Sequence, residues 1–162
     1  DADADDVLEA AYASGRGKSG RMSRDLAFRM PAIWIAEALS RRTPVHLYRF
    51  DWATPLFRAL RIGATHASEL TYLFGNPPTT KTDLSYRLGG RKQGEKVGRR
   101  MQQRWLNYAN HGNPVSTEST AYWDPYTGQE QKSLIIGADD TAVSGLDRNR
   151  LRAWGDQALS FG

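Results

Sequence analysis

The chain has 162 residues, 40% of them hydrophobic, with five tryptophans and a formal net charge of +4, which is enough apolar material to bury a core. It contains no cysteine, which excludes disulfides, thiol catalysis and cysteine-ligated metal, and fits a reducing, cytoplasmic setting. There is no signal-like stretch and no run near the roughly 20 apolar residues of a membrane span, and so modest a charge says little about a partner.

The chain opens on Asp1 rather than methionine, as expected of a processed chain, a cut one or one piece of a longer polypeptide. Asp1, Asp3, Asp5 and Asp6 lead into Val7-Leu8-Glu9-Ala10-Ala11-Tyr12. Acidic residues in a first turn complement the helix dipole, so a short helix ending near Ser14 is expected. The spacing of the four carboxylates matches no calcium loop, and they are read as the solvated start of that helix. Residues 15 to 21 are glycine-rich and basic and read as a loop. Gly15-Arg16-Gly17-Lys18-Ser19-Gly20 lacks the spacing of a phosphate-binding loop. Ser23 is a candidate cap for a helix running to about Ser40, with Leu26, Met30, Ile33 and Trp34 on one face and Pro31 marking a kink or a fresh start.

Pro44-Val45-His46-Leu47-Tyr48-Arg49-Phe50 is rich in β-branched and aromatic residues on both alternating faces and reads as a strand buried on both sides. Beyond the linking residues 51 to 62, Gly63-Ala64-Thr65-His66-Ala67-Ser68-Glu69-Leu70 is a glycine-led turn that puts a histidine just before a short amphipathic segment. That segment ends in Phe74-Gly75-Asn76-Pro77-Pro78. Strand, histidine-bearing loop and helix in succession is how a general base is held over the carboxyl edge of a parallel sheet. His46, mid-strand, and His111, in the last turn of a helix, have no such setting, and the three histidines make no zinc-binding spacing.

Residues 79 to 94 read as a polar surface loop. From about Glu95 a long helix is expected, with Val97, Met101, Trp105 and Tyr108 as its apolar stripe and Gly112 as its stop. Arg99, Arg100 and Arg104 are assigned to its opposite side, and with Arg87, Arg91, Lys92 and Lys96 they make a basic patch beside aromatic residues. Such a patch over residues 87 to 105 is the raw material of a nucleic-acid module, although a charged outer face of a packing helix is the commoner outcome. Ser133-Leu134-Ile135-Ile136-Gly137 and Thr141-Ala142-Val143 flank a turn and read as an antiparallel hairpin. A closing helix is expected over Asp147 to Leu159. There is no repeat and no low-complexity region, and residues 1–162 read as one contiguous segment without an internal boundary.

Four stretches together resemble a known family. Tyr48-Arg49-Phe50-Asp51-Trp52, then the histidine segment through Phe74-Gly75-Asn76, then Trp105-Leu106-Asn107-Tyr108-Ala109 with Gly112-Asn113-Pro114, and Trp123-Asp124-Pro125-Tyr126 are similar, in that order, to the C-terminal third of type-B carboxylesterases. This is the para-nitrobenzyl-esterase and cholinesterase-like branch of the α/β-hydrolases. The resemblance spans roughly residues 20 to 155. It implies an α/β fold consisting of the last strand of an α/β-hydrolase sheet, its covering helices and a terminal hairpin. It also implies hydrolysis of a small carboxylic ester without cofactor or metal, with His66 matching the catalytic histidine of a Ser-Glu/Asp-His triad.

The nucleophile is not in this sequence. No Gly-x-Ser-x-Gly elbow occurs; Gly17-Lys18-Ser19-Gly20-Arg21 has arginine where the second glycine belongs. The fold orders its triad as serine, acid, histidine, so the expected partner is the N-terminal portion of the same hydrolase, carrying serine, acid and oxyanion hole. Asp51 is disfavoured as the acid that orients His66 because the hydrolase order places that acid after an earlier strand, and the position of Glu69 is occupied in the resembling family without being the triad acid. Trp52, Pro55, Phe57 and Leu73 are candidate walls of the ester pocket, since such sites are mostly apolar. The alternative from another class is a non-catalytic, hydrolase-derived remnant that binds a partner through its uncovered faces.

Overall fold

The computed structural model describes Tyr12, residues 18–75 and residues 84–155. The expected helix before Ser14 and the end of the closing helix, beyond residue 155, lie outside the described residues. The chain forms two compact units, one of residues 1–47, 125–132 and 144–162, the other of residues 48–124 and 133–143.

In the first unit, helix α1 (Lys18–Arg24) passes through a π-helical turn (Asp25–Arg29) into α2 (Met30–Leu39). Lys18 to Arg21 are therefore helical and not loop, and the helix starts before Ser23. The π-turn has a covalent cause: Pro31 brings no N–H to the ladder, and just ahead of it the register widens so that the Met30 N–H donates to the Asp25 carbonyl. The extra residue rotates the helix face. Met30, Ile33 and Ala36 remain buried, whereas Leu26 falls out of phase and is half exposed, contrary to the face expected from an unbroken helical period. Asp25 takes the inward position instead. It accepts hydrogen bonds from the Tyr12 hydroxyl (2.6 Å) and the Arg150 guanidinium (2.8 Å). The Trp154 indole N–H in turn donates to the Tyr12 hydroxyl at 2.9 Å. Arg150 and Trp154 belong to the closing helix α6 (Arg148–Trp154). The buried Tyr126 donates through its backbone N–H to the Val45 carbonyl (2.6 Å) and through its hydroxyl to Glu37 (2.5 Å).

The second unit holds the sheet. Strand β1 (Tyr48–Phe50) runs parallel to β2 (Lys132–Ile136), pairing Tyr48 with Leu134 and Phe50 with Ile136, and β3 (Thr141–Ser144) flanks β2 on its other side. So short a link between β2 and β3 permits only a hairpin, as the sequence indicated. Strand β1 is shorter than expected and its three residues are half-buried; Arg49 makes a two-pronged pair with Asp51 at 2.6 and 2.7 Å.

Between β1 and β2 the chain forms α3 (Pro55–Ala59), α4 (Leu70–Leu73), a 3-10 turn (Leu84–Tyr86) and the long helix α5 (Arg91–His111). Helix α5 starts one turn earlier than expected and stops, as expected, at Gly112, which adopts a left-handed φ of 67° and donates its N–H to the Tyr108 carbonyl. Val97 and Met101 join Trp52, Tyr72, Trp123, Leu134 and Ile136 in the core of this unit. Trp105 packs against that core, while Tyr108 is 44% exposed.

The same helix buries two cations that sequence reasoning placed on its outer face. Arg100 and Arg104 are 4% and 1% exposed, and both pair with Asp140 at 3.1 Å, a carboxylate whose side chain is 1% exposed. Buried charge is tolerable only when paired and hydrogen-bonded. Arg100 accordingly also donates to the carbonyls of Gly137 and Ala138 (both 2.9 Å), and Arg104 to those of Pro114 (2.8 Å) and Ala121 (2.9 Å). The basic patch expected on this helix therefore loses two members to the interior.

Two stability predictions follow from these buried groups. Asp140→Ala leaves two guanidiniums uncompensated and should destabilise the protein by about 3–5 kcal/mol in chemical denaturation. Burial first and the Glu37 carboxylate second push Tyr126 well above the ordinary 10.0. Its phenol therefore stays protonated in the folded state at pH values where the unfolded chain ionises. The stability it contributes is complete below about pH 10 and is lost as pH rises further, and Tyr126→Phe should flatten that alkaline slope.

Candidate active site

Strand β1 ends because two successive backbone N–H groups, those of Asp51 and Trp52, both donate to the carbonyl of Ile136 (2.8 and 3.1 Å). This bulge-like close turns the chain off the sheet. Thr54 then caps α3, its hydroxyl accepting from the Phe57 N–H at 3.3 Å, with Pro55 in the first turn. At the other end of α3, Arg61 takes a left-handed φ of 57° and Gly63 one of 70°. The Phe57 carbonyl accepts from the N–H groups of both Ile62 and Gly63. The glycine-led turn read from the sequence is thus present, in a conformation that glycine adopts at little cost.

His66 stands exposed on the turn that follows, and Leu70 is the first residue of α4. The Thr65 carbonyl accepts from the Ser68 N–H (3.1 Å) and hydroxyl (2.7 Å), and the Ala67 carbonyl from the Leu70 N–H (3.2 Å). Ala67, directly after the histidine, holds φ at 60°. For a residue with a Cβ this is strained by roughly 1–2 kcal/mol, and strain of this kind clusters where a protein fixes a functional side chain.

Behind the histidine turn the packing is polar as well as tight. Trp52 is 3% exposed and its indole N–H donates to the Tyr72 hydroxyl at 2.9 Å. The Tyr72 hydroxyl lies 2.8 Å from that of Tyr86. The guanidinium of Arg58 sits over the Trp52 ring at 5.6 Å and that of Arg91 over the Tyr86 ring at 5.1 Å. The structure thus places Trp52 in the core of the unit, with Leu73 packed against the same cluster, while Phe57 is half-buried on α3 outside it. Of the two carboxylates weighed as orienting acids, Asp51 is engaged by Arg49. Glu69 lies near Tyr48, whose phenol is pushed up by burial first and by the Glu69 charge second.

Sequence reasoning missed Tyr72 and Tyr86. A signal for them exists in Gly94 and Gly98, one turn apart on α5. A Cβ on Gly94 would lie 2.5 Å from the Tyr86 hydroxyl and 3.3 Å from the Tyr72 ring, and one on Gly98 would lie 3.4 Å from the Tyr72 carbonyl. Paired glycines on a helix face mark a close approach by something, here the two tyrosines. Among the described residues no group of three or more His, Asp or Glu side chains is placed to hold a metal ion, and no helix is long and apolar enough to cross a membrane.

A histidine displayed on a turn beyond a parallel strand, with a long crossover helix returning the chain to the sheet, is part of the α/β-hydrolase architecture. A thermophilic PNB esterase superposes with a TM-score of 0.73 at 23% identity, over 94% of this chain and 30% of its own. The profile of the carboxylesterase family matches residues 7–154. An acylcarnitine hydrolase from Rattus norvegicus is 30% identical over 137 residues, covering 82% of this chain and 23% of its own length. The para-nitrobenzyl esterase of Bacillus subtilis (strain 168) is 32% identical over 126 residues, 74% of this chain and 23% of that protein. The chain belongs to the carboxylesterase family and spans about a quarter of the length of these curated relatives.

The glycine pair gives a contrast that melting experiments can read. Gly94→Ala forces its methyl into two buried rings and should cost about 1–3 kcal/mol. Gly98→Ala meets only ordinary contact in a helix interior, where alanine is favoured by up to about 1 kcal/mol, and should be neutral or stabilising.

Proposed function

We propose that this chain is the histidine-bearing segment of a serine carboxylesterase, with His66 as the proton shuttle of a Ser-Glu/Asp-His triad. The observation that carries the reading is the exposed placement of His66 on a turn held by left-handed residues on either side, Gly63 and Ala67, in the connection that leads from the parallel strand β1 through α3 to α4. Family membership supports it, since relatives named as esterases share this segment. So does the chemistry of the chain order, in which serine and acid precede histidine.

In this mechanism His66 takes the proton from a serine hydroxyl as its oxygen attacks the ester carbonyl. The imidazolium then gives that proton to the departing alcohol as the tetrahedral intermediate collapses to an acyl-enzyme. His66 next removes a proton from water, whose oxygen attacks the acyl carbon, and returns it to the serine as the carboxylic acid leaves. The serine, its oxyanion donors and the acid come from the preceding portion of the hydrolase. Leu60, Ile62, Leu70 and Phe74, on the elements around the histidine turn, are 44% to 77% exposed. So much apolar surface around one loop suits a face covered by that portion and by the apolar part of the ester. Within the same reading Trp52, Phe57 and Leu73 shape the apolar side of the pocket, Trp52 through the side chains it supports.

In the complete enzyme His66→Ala should lower kcat for a simple ester by about 10³-fold or more, whereas His46→Ala and His111→Ala should keep wild-type turnover. Full activity in the His66 variant would show that the segment is not the histidine donor, whereas a wild-type protein without esterase activity would leave the partner-binding remnant as the better account.

A further inference from the structure

We propose that Tyr72 is a positioning residue for His66: its buried hydroxyl, tied to Trp52 and Tyr86, fixes the short helix from which the histidine turn hangs. The inference rests on the reading of His66 as the catalytic base. Helix α4 has four residues, far fewer than a helix needs to stand by itself in water, so its place is set by what it packs on.

Tyr72 supplies that packing from several directions. Its hydroxyl accepts from the Trp52 indole (2.9 Å) and bonds the Tyr86 hydroxyl (2.8 Å). Its backbone carbonyl accepts from the side-chain amide of Gln102 at 2.9 Å. Its ring lies 5.5 Å from that of Phe50, and Gly94 and Gly98 leave room for it on the face of α5. Trp52 is itself held at the end of the sheet by the Ile136 carbonyl. One hydroxyl therefore joins the end of β1, the helix α4 and the 3-10 turn ahead of α5.

From Tyr72 back to the histidine turn the local hydrogen bonds are continuous. The Tyr72 N–H donates to Glu69, the Leu70 N–H to Ala67 and the Ser68 N–H to Thr65, while the Thr71 hydroxyl donates to the Ser68 carbonyl. A shift of Tyr72 is thereby a shift of His66. A phenylalanine would fill the same space. A buried hydroxyl costs free energy unless it is bonded, and once bonded it fixes direction as apolar packing does not. Direction is what a general base requires, because a displacement of about 1 Å at the reacting groups can cost roughly 10²-fold in rate.

The test compares Tyr72→Phe, Tyr86→Phe, the double variant and His66→Ala in the complete enzyme, with Gln93→Ala as a control. Gln93→Ala removes a hydrogen bond to the Ala138 carbonyl in the same unit, one that has no part in the bonds linking Trp52, Tyr86, Tyr72 and the histidine turn. Each tyrosine variant should lose about 10-fold in kcat with KM within about twofold, and the double variant should lose little more than either single one because the hydroxyls act as one chain. Gln93→Ala should keep wild-type kcat whatever its melting temperature. If Tyr72→Phe does not fold, Tyr86→Phe decides the matter. If His66→Ala is inactive while the tyrosine variants turn over like wild type, the positioning role is overturned and the triad reading stands. An active His66→Ala overturns both.

Discussion

The second unit depends on a buried carboxylate held between two guanidiniums. Asp140 sits on the turn before β3, and Arg100 and Arg104 reach it from one face of α5. Three charges in the interior do not cancel, and the residual positive charge is spread over the carbonyls of Gly137, Ala138, Pro114 and Ala121. The cluster thus fastens the hairpin, and the chain ahead of Trp123 at Pro114 and Ala121, to a single helix. It also sets where β2 lies, and so where β1 lies beside it in parallel register. A hydrophobic substitute could match the stability of such a cluster, but its many directed bonds suit a fixed arrangement of helix and hairpin.

The position of the candidate site follows from that arrangement. The last residues paired with β2 lead straight into Trp52, which is anchored by its backbone to Ile136 and by its indole to Tyr72. Tyr72 rests on the glycine face of α5, so sheet and helix meet at one aromatic group six residues past the histidine. Between them the chain accepts left-handed geometry at Arg61, Gly63 and Ala67. The core is closely packed and the loop is strained at Ala67, so the scaffold displays the His66 side chain instead of burying it. The chain belongs to the carboxylesterase family, and under the proposed reading the displayed side chain is the general base.

The parts of this fold that are legible in the sequence are those with local signals. Gly112 stops α5 because it alone adopts the left-handed conformation cheaply, the apolar runs either side of Ala138-Asp139-Asp140 read directly as a hairpin, and Gly63 announces the histidine turn. The failures come from contacts made at a distance. Nothing next to Arg104 reveals a partner 36 residues away, so the usual expectation that arginine faces solvent was applied where it fails. Leu26 is misplaced because a π-turn before a proline shifts the helical phase, an effect that a fixed 3.6-residue period does not contain. The burial of Trp52 and its hydrogen bond to Tyr72, 20 residues on, are likewise properties of tertiary packing that no local signal carries. The turn that carries His66 is legible in its motif; the hydrogen bond between Tyr72 and Tyr86 behind it is not.

Covalent labelling of the complete enzyme by a serine-reactive fluorophosphonate, followed by intact and peptide mass spectrometry, tests the assignment of His66 most directly. The reagent reports activation of the nucleophile without any ester pocket having to be known. If His66 is the base, the wild-type protein gains one adduct on a serine that precedes this segment, and His66→Ala is labelled slower by about 10³-fold or more. Equal labelling rates in the two proteins, or an adduct on no serine at all, would contradict the account.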